Sequence, residues 1–352
     1  VKTALRSNAL VAVFAVAGLT CSPLARACAT CGCTLSADAA MGYSAAAGWR
    51  VNLQYDYIDQ SQLRGGTHSV SPAQVVNDPT TGELEHDTVS RTLTVGVSYS
   101  PNAEWNLNLQ IPYLIRTHSS YTDTTSAPFD DSQLDAANLS SSRSDSLGDV
   151  RLIGSYQGLL PTHNLGVQLG VKLPTGNYGG PNAAGTGVVG KNPVTFSGGP
   201  SSGELLDTSL QPGTGSTDVI VGAYYYQAVS QDFDAFVNGQ LQAAVSEKLD
   251  QPGEDFRPGN LAVVSFGLRY EADPKIVPQL QLNLSHKGHD QGALADTEDS
   301  GGTVAYLSPG VTLSVLQNAH VYAFVQLPVY SKLDGYQLFP RWTASAGVSY
   351  AF

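Results

Sequence analysis

The chain has 352 residues, enough for one large β domain or two ordinary ones. It is 42% hydrophobic but only 14% charged, against roughly 25% charged in a typical soluble domain. The net charge of −12 argues against a nucleic-acid binder, because binding to the phosphate backbone is driven by clustered Lys and Arg.

In chain order, residues 1–27 read as a secretory signal. Lys2 and Arg6 form a basic start. The apolar run 9–19 is shorter than the ~20 residues a membrane-spanning helix needs. Pro23 breaks the helix, and Ala25-Arg26-Ala27 offers a small-x-small site, so cleavage is expected before Cys28. A lipoprotein signal fits less well: Gly18 stands where a leucine is wanted, three residues before Cys21.

Residues 28–47 then form a cysteine-containing N-terminal segment, expected on the periplasmic side. Cys28, Cys31 and Cys33 are closely spaced, and two readings are open. In an oxidising compartment they would form one disulfide and leave one spare thiol. As thiolates they would bind a soft metal ion, copper or zinc, leaving a fourth position to a periplasmic redox or metal-carrying protein. There is no Cys-x-x-Cys-His for covalent haem. The Ala-rich stretch that follows suits a short helix or a plug.

After the signal no apolar stretch is long enough for a membrane-spanning helix, which leaves a soluble exported protein or a β-barrel. From residue 48 onward the pattern has period two. Val51, Leu53, Tyr55 and Tyr57 alternate with Asn52, Gln54 and Asp56. Leu93, Val95, Val97 and Tyr99 alternate with Thr94, Gly96 and Ser98. Trp105 to Tyr113, Val150 to Tyr156 and Leu165 to Leu173 repeat the pattern. Further segments lie near 217–228, 231–246, 260–272, 275–286, 303–316, 319–330 and 341–352. The pattern predicts an all-β, antiparallel, up-and-down transmembrane barrel of about twelve strands over 48–352. Short turns at Pro101-Asn102, Pro161-Thr162, Ser230, Asp273-Pro274 and Gln317-Asn318 alternate with longer loops near 59–87, 116–146, 175–215, 247–256, 287–302 and 331–340. A β-sandwich would not explain long loops confined to one end. Tyrosines and tryptophans near strand ends suit interfacial girdles.

Three motifs carry a resemblance: Ser146-Leu147-Gly148-Asp149-Val150, Lys172-Leu173-Pro174-Thr175-Gly176, and Gly213-Thr214-Gly215-Ser216-Thr217-Asp218-Val219. With the ending from Leu327 to Phe352, they resemble a family of poorly characterised outer-membrane barrels regarded as transporters, some of them linked to degradation of aromatic compounds. The resemblance spans about residue 48 to the end and implies a barrel and transport. The cysteine-rich start departs from it.

The polar faces would line the lumen, with Arg50, Asp56, Asp149, Arg151, Lys172, Asp218, Asp234, Arg269, Glu271 and Lys275 as its charged members. Such charges either pair into a structural ladder or set the field in a watery path. Acidic and histidine-bearing loops (Glu83 to Asp87, His286 to Asp290, Asp296 to Asp299) match no strict ligand motif. There is no Gly-x-Ser-x-Gly and no His-Glu-x-x-His, and His118-Ser119 has no visible third member, so the reading is not an enzyme. The expected function is an outer-membrane pore or transporter passing a small solute by passive diffusion. Its expected partners are outer-membrane lipid and the barrel assembly machinery. The alternatives are a barrel-anchored metal or redox module and a structural or adhesive barrel.

Overall fold

The computed structural model describes residues 47–76, 83–122 and 131–352. The expected signal and all of the cysteine segment except Ala47 lie outside the described residues.

The strands are, in chain order, β1 (Gly48–Gly66), β2 (His68–Ser69), β3 (Glu83–Ser100), β4 (Trp105–Thr122), β5 (Leu139–Leu147), β6 (Val150–Tyr156), β7 (Leu165–Leu173), β8 (Tyr178–Pro181) and β9 (Val188–Lys191). They continue as β10 (Ser216–Ala228), β11 (Phe233–Glu247), β12 (Leu261–Tyr270), β13 (Ile276–Lys287), β14 (Gly302–Leu316) and β15 (Ala319–Ala351). Each long strand pairs antiparallel with its neighbour in sequence, and β15 returns to pair with β1, so the sheet closes on itself. Closure leaves the ring no unpaired edge. No helix among the described residues is long and apolar enough to cross a membrane, which says nothing about strands.

The closed ring contains 11 strands, with β2 and β5 attached beside it, where the sequence predicts about twelve. The difference lies mainly in the last element. Its 33 residues remain in strand hydrogen bonding through the reversal near Gly335, so the expected loop at 331–340 is absent. The first arm pairs with β14 as far as Leu333, and the second pairs with β1 from Leu333 to Ala351. This one element therefore supplies two antiparallel walls. A glycine with φ of 62° permits the tight reversal.

Strands β1, β3 and β4 have 19, 18 and 18 residues, longer than the expected ten or so. About half of each of the expected loops at 59–87 and 116–146 is strand. There most residues on both faces are polar, apart from a few such as Leu63 and Leu84, and the backbone ladder continues without the regular hydrophobic alternation that would advertise it.

The alternation is inverted relative to a water-soluble sheet. Val51, Leu53 and Tyr55 are exposed on the outside, while Asn52, Gln54 and Asp56 between them are buried inside. On β13, Leu280, Leu282 and Leu284 are exposed and Gln279, Gln281 and Asn283 are buried. Aromatic pairs edge the apolar outer band at the short-turn end: Trp49–Tyr99 and Trp105–Tyr156 with ring centroids 4.6 Å apart, and Phe233–Tyr270 at 5.0 Å. At the other margin Tyr57 meets Trp342 at 5.5 Å. From Trp49 to Tyr57 the strand rises ~26 Å at ~3.3 Å per residue.

Candidate functional site: the polar lumen

The inward faces enclose a cavity of about 520 Å³. Its lining is rich in amides and hydroxyls, including Asn52, Gln54, Gln110, Gln168, Gln240 and Gln242. Near the short-turn end, inward aromatics lie flat against the wall because glycines face them. A Cβ on Gly310 would stand 2.1 Å from the Phe324 ring, and one on Gly347 would stand 2.4 Å from Tyr322. The Tyr322 hydroxyl donates to Gln54 Oε1 at 2.8 Å.

Four of the predicted charged residues meet at one level. Register places Arg151 beside Lys172, and Lys172 beside Asp218. Lys172 Nζ lies 3.2 Å from Asp149 and 3.0 Å from Asp218, and all three side chains are buried. Burial of such charges is tolerable only when their remaining hydrogen-bonding capacity is satisfied. Asp149 Oδ1 accepts from the Gly176 N–H at 3.0 Å, and Oδ2 accepts from the Thr214 N–H at 3.0 Å. Asp218 accepts from the Ser216 hydroxyl and the Gln242 amide, each at 2.6 Å. Lys172 also donates to Thr214 and Ser216.

The three sequence motifs thus converge on one clasp. Asp149 comes from the first, Lys172 and Gly176 from the second, and Thr214, Ser216 and Asp218 from the third. Thr175 ties the first two together, donating to the Gly148 carbonyl at 2.8 Å and accepting from the Val150 N–H at 2.9 Å. The motif glycines have a steric reason. A Cβ on Gly213 would stand 2.6 Å from Asp149 Oδ1 and 2.9 Å from Gly176 Cα.

The clasp anchors both ends of the long connection 174–215, which folds inward over the mouth. Arg116 Nη1 donates to the Leu210 carbonyl at 2.6 Å. Leu210 is buried with Phe196 and Leu206. Backbone bonds at 2.9 Å and 2.8 Å join Ser141 of β5 to Gly198 and Ser197. Tyr178 and Val189 pack against Leu249, Phe256 and Leu294 of the two neighbouring loops. Across the mouth, the short helix Pro72–Val76 covers Leu63, Leu84 and Leu338 with Val75 and Val76.

Of the ten charged residues predicted for the lumen, Arg50, Asp149, Arg151, Lys172 and Asp218 line the cavity. Asp56 is buried in the wall, where it accepts from the Ser345 hydroxyl at 2.6 Å and the Gln54 amide at 2.9 Å. Asp234 and Arg269 are register partners near the short-turn end, and Arg269 pairs with Glu271 at 3.0 Å. Lys275 is an exposed residue of the turn between β12 and β13, because the chain leaves strand geometry after Tyr270 and re-enters it only at Ile276. The cavity also has Arg116, Lys287 and Asp290, which fall in the loops expected at 116–146 and 287–302. Arg116 shares the inward face of β4 with Asn108 and Gln110, but Pro112 and Leu114 stand between them and break the polar alternation that would have marked it.

Cys28, Cys31 and Cys33 lie outside the described residues. Among the described residues, no group of three His, Cys, Asp or Glu side chains is placed to hold a metal ion. The acidic loops serve turns instead: Asp299 Oδ1 accepts from the Tyr336 N–H at 2.7 Å, and Asp296 Oδ1 accepts from the Asp299 N–H at 2.8 Å. Ser119 finds partners that the sequence did not reveal. It donates to Asp87 and stands 3.2 Å from His86 Nδ1, which is itself 3.4 Å from Asp87. A relay triad uses both imidazole nitrogens, one toward serine and one toward the acid. Here one nitrogen faces both groups.

No protein-family model matches the chain, and no curated protein is similar to it in sequence. Among solved structures, an outer membrane channel from Pseudomonas putida F1 is similar, with a TM-score of 0.57 and 14% identity over 88% of this chain and 98% of that one. Weaker likenesses include the β domain of the Bordetella autotransporter BrkA (TM-score 0.44, 10% identity, 87% and 100% covered). The CymD monoaromatic hydrocarbon channel is another (TM-score 0.42, 12% identity, 90% and 93% covered). The likeness is one of fold: a closed antiparallel barrel of the kind an outer-membrane channel uses.

Proposed function

We propose that the protein is a channel of a Gram-negative outer membrane that passes a small solute through its lumen by passive diffusion. The observation that carries this reading is the inverted polarity of the strands. An apolar band bordered by aromatic pairs surrounds the outside, and inside lies a cavity lined by amide, hydroxyl and charged side chains together with apolar ones such as Ile153 and Val263. In water such a band would be a very large exposed patch. In a bilayer it is the ordinary lipid-facing surface of a barrel. The short turns then lie at the periplasmic rim, and the long connections, including 174–215, lie outside. The cavity suits solutes of low mass, and the clasped connection restricts their entry.

Planar-bilayer recording tests this reading. Folded protein added to the bath is expected to produce discrete, uniform conductance steps, and vesicles containing it should swell faster in small sugars than in large ones. Silence from protein shown to be folded would mean a filled barrel that binds or anchors.

A further inference from the structure

We propose that the lumen selects small anions over cations, organic carboxylates in particular; this deepens the channel reading and rests on it. Five basic side chains line the cavity (Arg50, Arg116, Arg151, Lys172 and Lys287) against three acidic ones (Asp149, Asp218 and Asp290). The lining therefore carries 5 − 3 = +2 among the described residues, in a chain whose total is −12.

The two signs also differ in how they are engaged. Every oxygen of the acidic members already accepts from the protein. Those of Asp149 and Asp218 are held in the clasp described above. Asp290 Oδ1 takes the Gly259 N–H at 2.7 Å and Lys287 at 2.8 Å, and its Oδ2 takes Lys287 at 2.9 Å. A passing cation would have to compete with ammonium and N–H groups for every one of them.

The arginines are placed differently. Arg50 and Arg151 line the cavity and donate to no acceptor among the described residues. Among the described residues, Arg116 donates only to neutral oxygens, the Ser90 hydroxyl at 3.0 Å and the Leu210 carbonyl at 2.6 Å. The charged hydrogen-bonding capacity left open in the cavity is thus that of donors. A guanidinium offers a planar fork of N–H groups that fits the two oxygens of a carboxylate, and it keeps its charge at any physiological pH. Its field is felt more strongly in a narrow polar path than in bulk water. The clasp keeps Lys172 occupied; Arg151, its register neighbour, sits in the field of Asp149 and Asp218 but gives them no hydrogen bond, so its N–H groups are left to meet the solute.

The test is the zero-current potential of the full-length protein in a planar bilayer under a tenfold KCl gradient, repeated with potassium acetate. The expected result is an anion-to-cation permeability ratio several-fold above one, retained with acetate. In an Arg50→Gln, Arg151→Gln double variant the ratio should fall by about threefold or more while the conductance steps persist. Arg151→Lys, which keeps the charge, should keep most of the ratio. A wild-type ratio at or below one, or a ratio unmoved in the double variant, would overturn the anion inference and leave the channel standing. If folded wild-type protein gives no steps at all, the channel reading falls and takes this inference with it.

Discussion

Gln240 and Leu241 are adjacent on β11, yet they face opposite surroundings. Gln240 lines the cavity, and Leu241 is 58% exposed on the outer band. The same contrast recurs around the ring. On the outside, each position contributes apolar area with few specific partners. On the inside, positions are tied to one another by hydrogen bonds, from Gln54–Asp56–Ser345 to the Lys172 clasp. The outer face is thus tolerant of which apolar residue stands where, and intolerant of charge. The inner face is tolerant of polarity and intolerant of breaking a pair.

The largest expected effect breaks the inner face. Lys172→Met leaves Asp149 and Asp218 buried without the ammonium that bridges them, with only the field of Arg151 to offset their charge, and should destabilise the barrel by about 3–5 kcal/mol. Urea unfolding in lipid vesicles, followed by tryptophan fluorescence, reads this directly, and adding Asp218→Asn should recover part of the loss. Next comes a charge on the outer face. Leu282→Arg, between Phe266 and Leu307 on the adjoining strands, should cost about 2–4 kcal/mol in the same assay. A smaller effect is steric. Gly310→Val drives a side chain into the Phe324 ring, for about 1–3 kcal/mol, and pairing it with Phe324→Ala should relieve the clash. The smallest effect on stability is at Gln240→Ala, within about 0.5 kcal/mol. Its single-channel conductance should nonetheless change, because the residue lines the path.

Much of this contrast is legible in the sequence, wherever one face is apolar and the other polar. Val51 to Tyr57 and Leu280 to Leu284 announce both the strand and its orientation. Legibility fails where the contrast vanishes. The upper parts of β1, β3 and β4 carry mostly polar residues, with no regular apolar alternation, and read as loop, Arg116 among them. The reversal at Gly335 falls inside the expected loop at 331–340; what the sequence does not show is that strand pairing continues close to it on both sides, to Leu333 on the first arm and from Tyr336 on the second, with a register shift between them. Lys275 shows the opposite error, an alternation extended past the end of its strand. The clasp was half visible. Asp149, Arg151, Lys172 and Asp218 were each marked as lumen charges, but that the three motifs meet at one point depends on register. So does the inward fold of 174–215, which composition marks only as a long loop.

The most direct test of the central claim uses the adjacent pair on β11. In a background with the chain's 4 cysteines changed to serine, Gln240→Cys and Leu241→Cys would each be placed in a bilayer and exposed to a water-soluble thiosulfonate. Gln240→Cys is expected to react, and its conductance to drop. Leu241→Cys should resist the reagent, and a fluorophore attached there before reconstitution should be quenched by brominated lipid. Equal reactivity at both positions, or lipid quenching at position 240, would contradict an outer face in lipid and an inner face in water.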